Sequence, residues 1–325
     1  MAKDSAADRN LALETIRVTE AAAIAASRFM GGGDEKAADQ AAVEAMHKAL
    51  GRIATKGTVR IGEGKKGDAE KLYVGEKLGT GDGPKVDIAM VALEGTSIVA
   101  RGGPNALSVI AMAEDGGFLT VPDNYMDKIA VGPGLPDGVV DLDNEPAENL
   151  GALAEAKGIP VGELVVCMLD RPRHAEAIAK IRETGARIRL ILDGDVSGVI
   201  ETTQPEAGVD IFLGIGGAPQ GVLAAAALRG IGGQMQGRLV LRNNDEHAEA
   251  VALGIEDPDR KYGAEEMAAG NVTFAATGVT YSPMLEGVRH FPGGAVTHSL
   301  VSRSMTGTLR FIEGRHDFNR WPAKS

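Results

Sequence analysis

Apolar positions along the first fifty residues recur with a helical period. Leu11, Leu13, Ile16, Val18, Ala21, Ile24 and Ala25 trace one apolar face, and Gly31-Gly32-Gly33 stops it. Residues 9–30 are therefore predicted as a helix. A second helix is predicted over 36–53, with Ala42, Val43, Met46 and Leu50 on one side. The pattern then changes: Thr58–Ile61 and Val86–Val91 are short β-prone runs that end at glycine-containing turns, and Asn105–Glu114 returns to a helical pattern.

The second half alternates more regularly. Strands are predicted at Leu164–Leu169, Arg187–Leu192, Val209–Leu213 and Val272–Ala276. Helices are predicted at His174–Thr184, from Val196, and over Gln220–Arg229 after a glycine loop. Strand–helix alternation of this kind calls for a mainly parallel or mixed sheet covered by helices, an α/β fold. Pro133–Glu145, rich in Gly, Pro and Asp, is the best boundary by composition. The expected division is 1–135 and 136–325, with the option that the chain returns to the first domain near its end.

Composition narrows the functional classes. The 325 residues carry a net charge of -11, with no basic run. A nucleic-acid partner and an anionic membrane surface are therefore not expected. Met1–Asn10 is polar, unlike a signal peptide, and no apolar stretch approaches the roughly 20 residues that span a bilayer. The one cysteine, Cys167, lies in the apolar run Leu164–Leu169 and reads as a buried strand residue. One cysteine excludes an intrachain disulfide framework and fits a reducing, cytoplasmic compartment. The 44 glycines are about twice ordinary usage, which suits loops that approach ligands closely.

Acidic and glycine residues recur where strands end, at Ile61-Gly62-Glu63-Gly64, Leu93-Glu94-Gly95-Thr96, Leu192-Asp193-Gly194-Asp195 and Gly214–Pro219. Ligands of open α/β sheets collect at strand carboxyl ends, and hard oxygen donors there suit Mg²⁺ or Mn²⁺. Asp-Gly and Glu-Gly are also ordinary turn chemistry, so each motif alone leaves both readings open. Arg171-Pro172-Arg173-His174 places two guanidinium groups where they can fork onto phosphate, or stand as solvated cap charges. The loop Gly214–Pro219 opens a helix but is neither a dinucleotide fingerprint, since Pro219 replaces the third glycine, nor a Walker A loop. The six histidines are scattered and no G-x-S-x-G is present, which disfavours a zinc hydrolase and a serine esterase.

Taken in order, these segments resemble a known family. Arg9–Glu14 with Arg17–Ala23, Gly33–Asp39, Ile61–Gly64, Leu93–Thr96, Pro104–Leu107 and Asp123–Lys128 are similar to class II fructose-1,6-bisphosphatases. So are Arg171–His174, Asp193–Val196, Gly216–Pro219 and Phe274–Gly278, and the likeness runs unbroken over about residues 9 to 312. The resemblance implies a layered α/β/α/β/α sandwich of the sugar phosphatase type, assembled as a homo-oligomer. It implies removal of the 1-phosphate of fructose 1,6-bisphosphate by metal-activated water, a gluconeogenic step, with Mg²⁺ or Mn²⁺ as cofactor. Asp34, Glu63 and Glu94 then resemble metal ligands, and Glu63 and Thr96 resemble the residues acting on the attacking water. Glu94, Gly95, Thr96, Tyr125, Arg171, Arg173, Asp193, Asp195 and Gly217 resemble the substrate-binding set.

The chain departs from the family pattern at its metal positions. Val91 stands where an aspartate is expected, and Gln220 stands where a glutamate follows Gly-Gly-Ala-Pro. The usually acidic loop after Glu63 reads Lys65-Lys66-Gly67-Asp68. Every change subtracts negative charge from a cation site or adds positive charge to it. Asp87 and Asp68 are the nearby carboxylates that could replace Val91. Lys65 or Lys66 could stand in for a cation, or both could be solvated. Two alternatives to plain hydrolysis follow: a catalytically impaired paralogue that binds a phosphosugar or an active family member without turnover, and a one-metal phosphatase of altered substrate.

Overall fold

The computed structural model describes residues 6–320, and the first half of the polar stretch Met1–Asn10, read as unlike a signal peptide, lies outside them. The chain divides into two compact units, one of residues 1–115 with 271–325 and one of residues 116–270. Pro133–Glu145 lies inside the second unit as a long connection between a strand and a helix, which accounts for its Gly/Pro/Asp content.

The first unit begins with two packed helices, α1 (Ala6–Ser27) and α2 (Glu35–Leu50). Asp34 caps α2, its side chain accepting the Ala37 N–H at 2.9 Å, which fixes where that helix starts. There follow β1 (Lys56–Ile61), β2 (Lys77–Leu78), β3 (Lys85–Glu94), α3 (Thr96–Arg101) and β4 (Leu107–Glu114). After residue 270 the chain adds β11 (Val272–Gly278), β12 (Arg289–Phe291), β13 (Gly294–Arg303) and β14 (Thr308–Asp317). The eight strands form one mixed sheet in the order β12-β13-β11-β4-β3-β1-β2, with β14 on β13. Ile16, Ala22, Ala26, Met46 and Leu50 of the helices pack on Val59, Ile88, Met90, Ile110 and Ala275 of the sheet. Burial of each of the Ile, Leu, Met and Val side chains contributes roughly 1.5–3 kcal/mol.

The second unit runs β5 (Tyr125–Val131), α4 (Pro146–Lys157), β6 (Val165–Leu169), α5 (Ala175–Glu183), β7 (Arg187–Ile191) and α6 (Asp195–Glu201). It continues with β8 (Ile211–Gly217), α7 (Ala218–Ile231), β9 (Gln234–Val240), α8 (Asn244–Ala252), β10 (Tyr262–Gly263) and α9 (Ala264–Met267). Its sheet has the order β10-β9-β5-β8-β6-β7, with β6 parallel to β7 and β8 and β5 antiparallel to β8 and β9. Leu150, Leu153, Ile178 and Ile181 cover the face bearing Ile129, Val166 and Met168. Strand alternation turns Cys167 and Phe212 to the other face, where they meet Gly198 of α6. Burial pushes the Cys167 thiol up to about 12, in keeping with a packed, unreactive cysteine.

The molecule is thus mixed α/β with two mixed sheets, as expected. Two local expectations are overturned. Asn105–Glu114 contains not a helix but β4, fully paired between β3 and β11. Its run of Leu, Val, Ile, Ala and Met is buried on both faces, and a central strand of that kind shows no alternation to distinguish it from a helix. Gly214–Gly217 is likewise not a loop but the end of β8, held in register against Lys128–Tyr125. Among the described residues no helix is long and apolar enough to cross a membrane.

Candidate active site

In the first unit, Glu63 follows β1 and Glu94 closes β3, and each strand carries a register shift before its acidic residue. The β1–β3 ladder runs Val59↔Ile88 then Ile61↔Ala89, and the β3–β4 ladder runs Val91↔Val109 then Glu94↔Leu107. One extra residue therefore bulges each strand, at Arg60 three residues before Glu63 and at Ala92–Leu93 immediately before Glu94, the device by which strands re-aim side chains near sites. The Glu63 Oε1 accepts the N–H of Ala92, within the second bulge, at 2.9 Å. Burial pushes the Glu63 carboxyl up to about 7, against the pull of that N–H and helped by the negative charge of Asp39 on α2. Burial also raises Asp39. These two carboxyl groups form an acidic, poorly solvated patch that only half of the sequence reading found, since Asp39 looked like one more polar helix residue.

Glu94 is buried, Gly95 follows it with φ 88°, and Thr96 is the first residue of α3. Asp34 is exposed at the start of α2, where its carboxylate serves the helix cap. The backbone N–H groups of Gly31 and Gly33 donate to Val99 and Ala100 of α3, tying this loop to the end of the Glu94–Thr96 segment. Val91 is half-buried in β3 with no oxygen to offer. Asp87 is committed elsewhere: it is buried, and it accepts the Arg60 Nε at 2.8 Å. It also lies four residues back along β3, about 13 Å at strand rise, too far to replace a ligand at Val91. Asp68, Lys65 and Lys66 are exposed, and the Lys66 ammonium lies 5.9 Å from the Tyr73 ring centroid.

In the second unit, the parallel ladder between β6 and β8 pairs only Val166↔Ile211 and Cys167↔Phe212. Beyond that point the strands part, and the buried His174 ring fills the opening. Its Nδ1 donates to the Leu169 carbonyl at 2.8 Å while its Nε2 accepts the Ile215 N–H at 2.9 Å. Both nitrogens are used by a neutral imidazole, and burial lowers its pKa. The wedge seats its neighbour: Arg173 Nε and Nη2 donate to the Ile215 carbonyl at 3.0 and 2.7 Å. The Arg173 guanidinium lies 4.9 Å from the Tyr125 ring centroid, and Arg242 lies 5.1 Å from the same centroid. Glu246 holds Arg242 through two bonds at 2.9 and 2.6 Å. Tyr125 thus carries two guanidinium groups, an arrangement suited to a phosphate beside a sugar ring.

The remaining expected residues divide by orientation. Arg171 donates to the Asp170 carbonyl at 3.0 Å, and Asp193 accepts the Gly194 N–H at 3.0 Å. Asp195 is turned inward onto the buried ammonium of Lys128, which also donates to the Gly217 carbonyl at 3.0 Å. The Asp195 carboxylate occupies the space that a Cβ on Gly216 would need, and the Gln220 carboxamide does the same at Gly217. Glycine at 216 is therefore favoured by the close approach of the buried Asp195–Lys128 pair, while at 217 the flexible Gln220 side chain alone stands in the way. His174, Lys128 and Arg242 escaped the sequence reading as working residues. Lys128 sits inside a quoted motif, but Arg242 follows β9, a strand whose Gln/Gly-rich alternation gave no signal.

The model of the family described as bacterial fructose-1,6-bisphosphatase, glpX-encoded, matches residues 9–316. The chain belongs to the class II fructose-1,6-bisphosphatase family. A D-fructose 1,6-bisphosphatase class 2/sedoheptulose 1,7-bisphosphatase of Trichodesmium erythraeum (strain IMS101) is 42% identical over 336 residues, covering 96% of this chain and 97% of that protein. A protein of the same description from Synechococcus sp. (strain JA-3-3Ab) is 42% identical over 334 residues, covering 95% and 96%. Class II fructose-1,6-bisphosphatases are metal-dependent phosphatases, so the donor set can be tested against that requirement. Among the described residues no three His, Cys, Asp or Glu side chains are gathered as a cation shell. Valine at 91 offers nothing, and the Gln220 amide lies over Gly217. The residues present do not fit a two-cation centre built of carboxylates.

Proposed function

We propose that this chain hydrolyses the 1-phosphate of fructose 1,6-bisphosphate to fructose 6-phosphate, a gluconeogenic step, as a cytoplasmic homo-oligomer. The observation that carries the substrate class is the pair of guanidinium groups on Tyr125 at the carboxyl end of β8, in a chain 42% identical to bisphosphatases. Arg173 and Arg171 would take phosphate oxygens, Tyr125 would pack on the sugar, and Asp193 would accept its hydroxyls. Asp195 and Gly217, joined through Lys128, would hold that wall in place, with Gly95 and Glu94 presenting Thr96 to the attacking water. Without a cation beside it, Glu63, with a pKa of about 7, is suited to take the proton of that water. Metal dependence, with Mg²⁺ or Mn²⁺, is proposed on the oxygen donors that remain, namely Asp34, Glu63 and Glu94.

The altered positions favour a second reading, a phosphosugar binder with little turnover. Val91 and Gln220 replace two carboxylates, and Arg60 holds Asp87 away from any repair. Release of inorganic phosphate from fructose 1,6-bisphosphate, with Mg²⁺ and with Mn²⁺, separates the two when run beside Val91→Asp/Gln220→Glu. Hydrolysis predicts metal-dependent release by the parent and a rise of about tenfold or more in kcat/KM in the variant. A silent parent with an active variant supports the binder, and silence from both overturns the substrate.

A further inference from the structure

The amino ends of β1 and β3 carry a second, oppositely charged feature. Lys56 and Lys85 are direct partners in the parallel ladder, and Lys77 of β2 is the antiparallel partner of Thr58. Strand partners share a face, and Lys56 and Thr58 are two apart, so Lys56, Lys77 and Lys85 stand on one face of the sheet. They line a cavity of about 430 Å³, together with Gly57, Thr58, Leu78, Gly79, Gly81 and Asp115. Thr58 Oγ1 accepts from Lys77 at 2.7 Å, and Asp115, the one acid at the rim, faces Arg60 at 3.5 Å.

Like charges placed directly opposite in a ladder destabilise it, and this chain has acidic residues to spare at a net charge of -11. Elsewhere it uses them: Lys71, Lys128, Lys157, Lys180 and Lys261 each pair with a carboxylate. Among the described residues Lys56, Lys77 and Lys85 have no carboxylate partner, as is also true of the scattered Lys36, Lys48 and Lys66, but only these three line one cavity. Three unneutralised ammonium groups converging on a cavity in an acidic protein make a local positive potential whose natural complement is a compact, multiply charged anion. The cavity lies at the far end of the strands that finish near Glu63 and Glu94. Along the ten residues of β3 that separation is roughly 30 Å, so the two features are distinct.

We propose that this cavity is an anion-binding site for a small phosphoryl-bearing ligand, separate from the candidate active site. The test uses the full-length chain in metal-free buffer, inorganic pyrophosphate as the probe, and lysine acetylation followed by peptide mass spectrometry. Pyrophosphate is expected to slow acetylation of Lys56, Lys77 and Lys85, leaving the exposed Lys36 and Lys48 unchanged. In Lys56→Gln/Lys85→Gln, half-protection of the remaining Lys77 should need about tenfold more pyrophosphate, with a weaker salt dependence. Unchanged acetylation at the three lysines, or equal protection by citrate, overturns the proposal. The parent's protection pattern decides even if the variant fails to fold, and Lys77→Met alone gives a second, single-site comparison.

Discussion

At the scale of single residues, Glu63 is where fold and chemistry compete most openly. Its carboxyl satisfies an N–H released by the bulge in β3, and its surroundings push its pKa from 4.5 up to about 7. The folded pKa lies above the unfolded value, so the protonated group's contribution to stability is complete below about pH 4.5 and is lost as pH rises through 7. Glu63→Gln removes the cost of the buried charge and keeps an oxygen for Ala92. In urea unfolding with a chelator present, it is expected to be more stable than the parent by on the order of 1–2 kcal/mol at pH 8 and indistinguishable near pH 4.5. A pH-independent difference would remove the assigned pKa. The same substitution should abolish the rise of phosphate release through pH 7. This residue was legible in the sequence through the family resemblance of Ile61–Gly64, since a carboxylate between glycines at a strand end is by itself also ordinary turn chemistry. Its partner Asp39 was not, since only packing brings that turn of α2 against Glu63.

At the scale of elements, the informative feature is the parting of β6 from β8. Two direct pairs join these strands, and the His174 imidazole continues the connection beyond them through Leu169 and Ile215. A side chain doing the work of a ladder rung allows the strand ends to separate without unpaired backbone groups, and that separation makes room for Arg173. His174→Ala leaves a buried N–H and a buried carbonyl unpartnered, so a loss of about 2–4 kcal/mol is expected by denaturant unfolding at pH 8. The His174 pKa lies below the ordinary value, so the parent's advantage is present above about pH 6.5 and fades as pH falls through the folded pKa, where the ring must charge. A variant as stable as the parent at pH 8 would show that His174 merely fills space. The sequence placed α5 and β6 correctly and left this rung invisible, because a histidine after Arg-Pro-Arg reads as a helix-start residue. The error at β8 has a related cause: Gly214, Gly216 and Gly217 resemble a loop until His174, Asp195 and Gln220 are seen occupying the space beside them. At β4, unbroken apolarity hid a strand whose partner β11 is distant in sequence.

At the scale of the whole molecule, the first unit is assembled from two stretches of chain separated by the second unit. Its sheet cannot be completed by the first stretch. β4 pairs with β11 along seven residues, and β11 pairs in turn with β13, so residues 1–115 alone would expose β4 as a long apolar edge. The polar groups buried beneath α1 depend on the late strands as well. Thr19 Oγ1 lies 2.7 Å from Thr277 Oγ1, and Glu20 accepts from Thr297 at 2.9 Å. Without residues 271–320, α1 would keep its apolar contacts to α2 and the Thr19–Ile16 bond but lose Thr277 beside Thr19 and Thr297 beside Glu20, and Ile110 and Met112 would lose the neighbours that β11 supplies. A fragment of residues 1–115 is therefore expected to show helix by far-ultraviolet circular dichroism without a sigmoidal melt, whereas the full chain melts cooperatively. A cooperative transition in that fragment would mean that α1, α2 and the first four strands suffice as a core. Its absence would place the commitment to fold after synthesis of β13, when the strand that partners β4 has acquired a partner of its own.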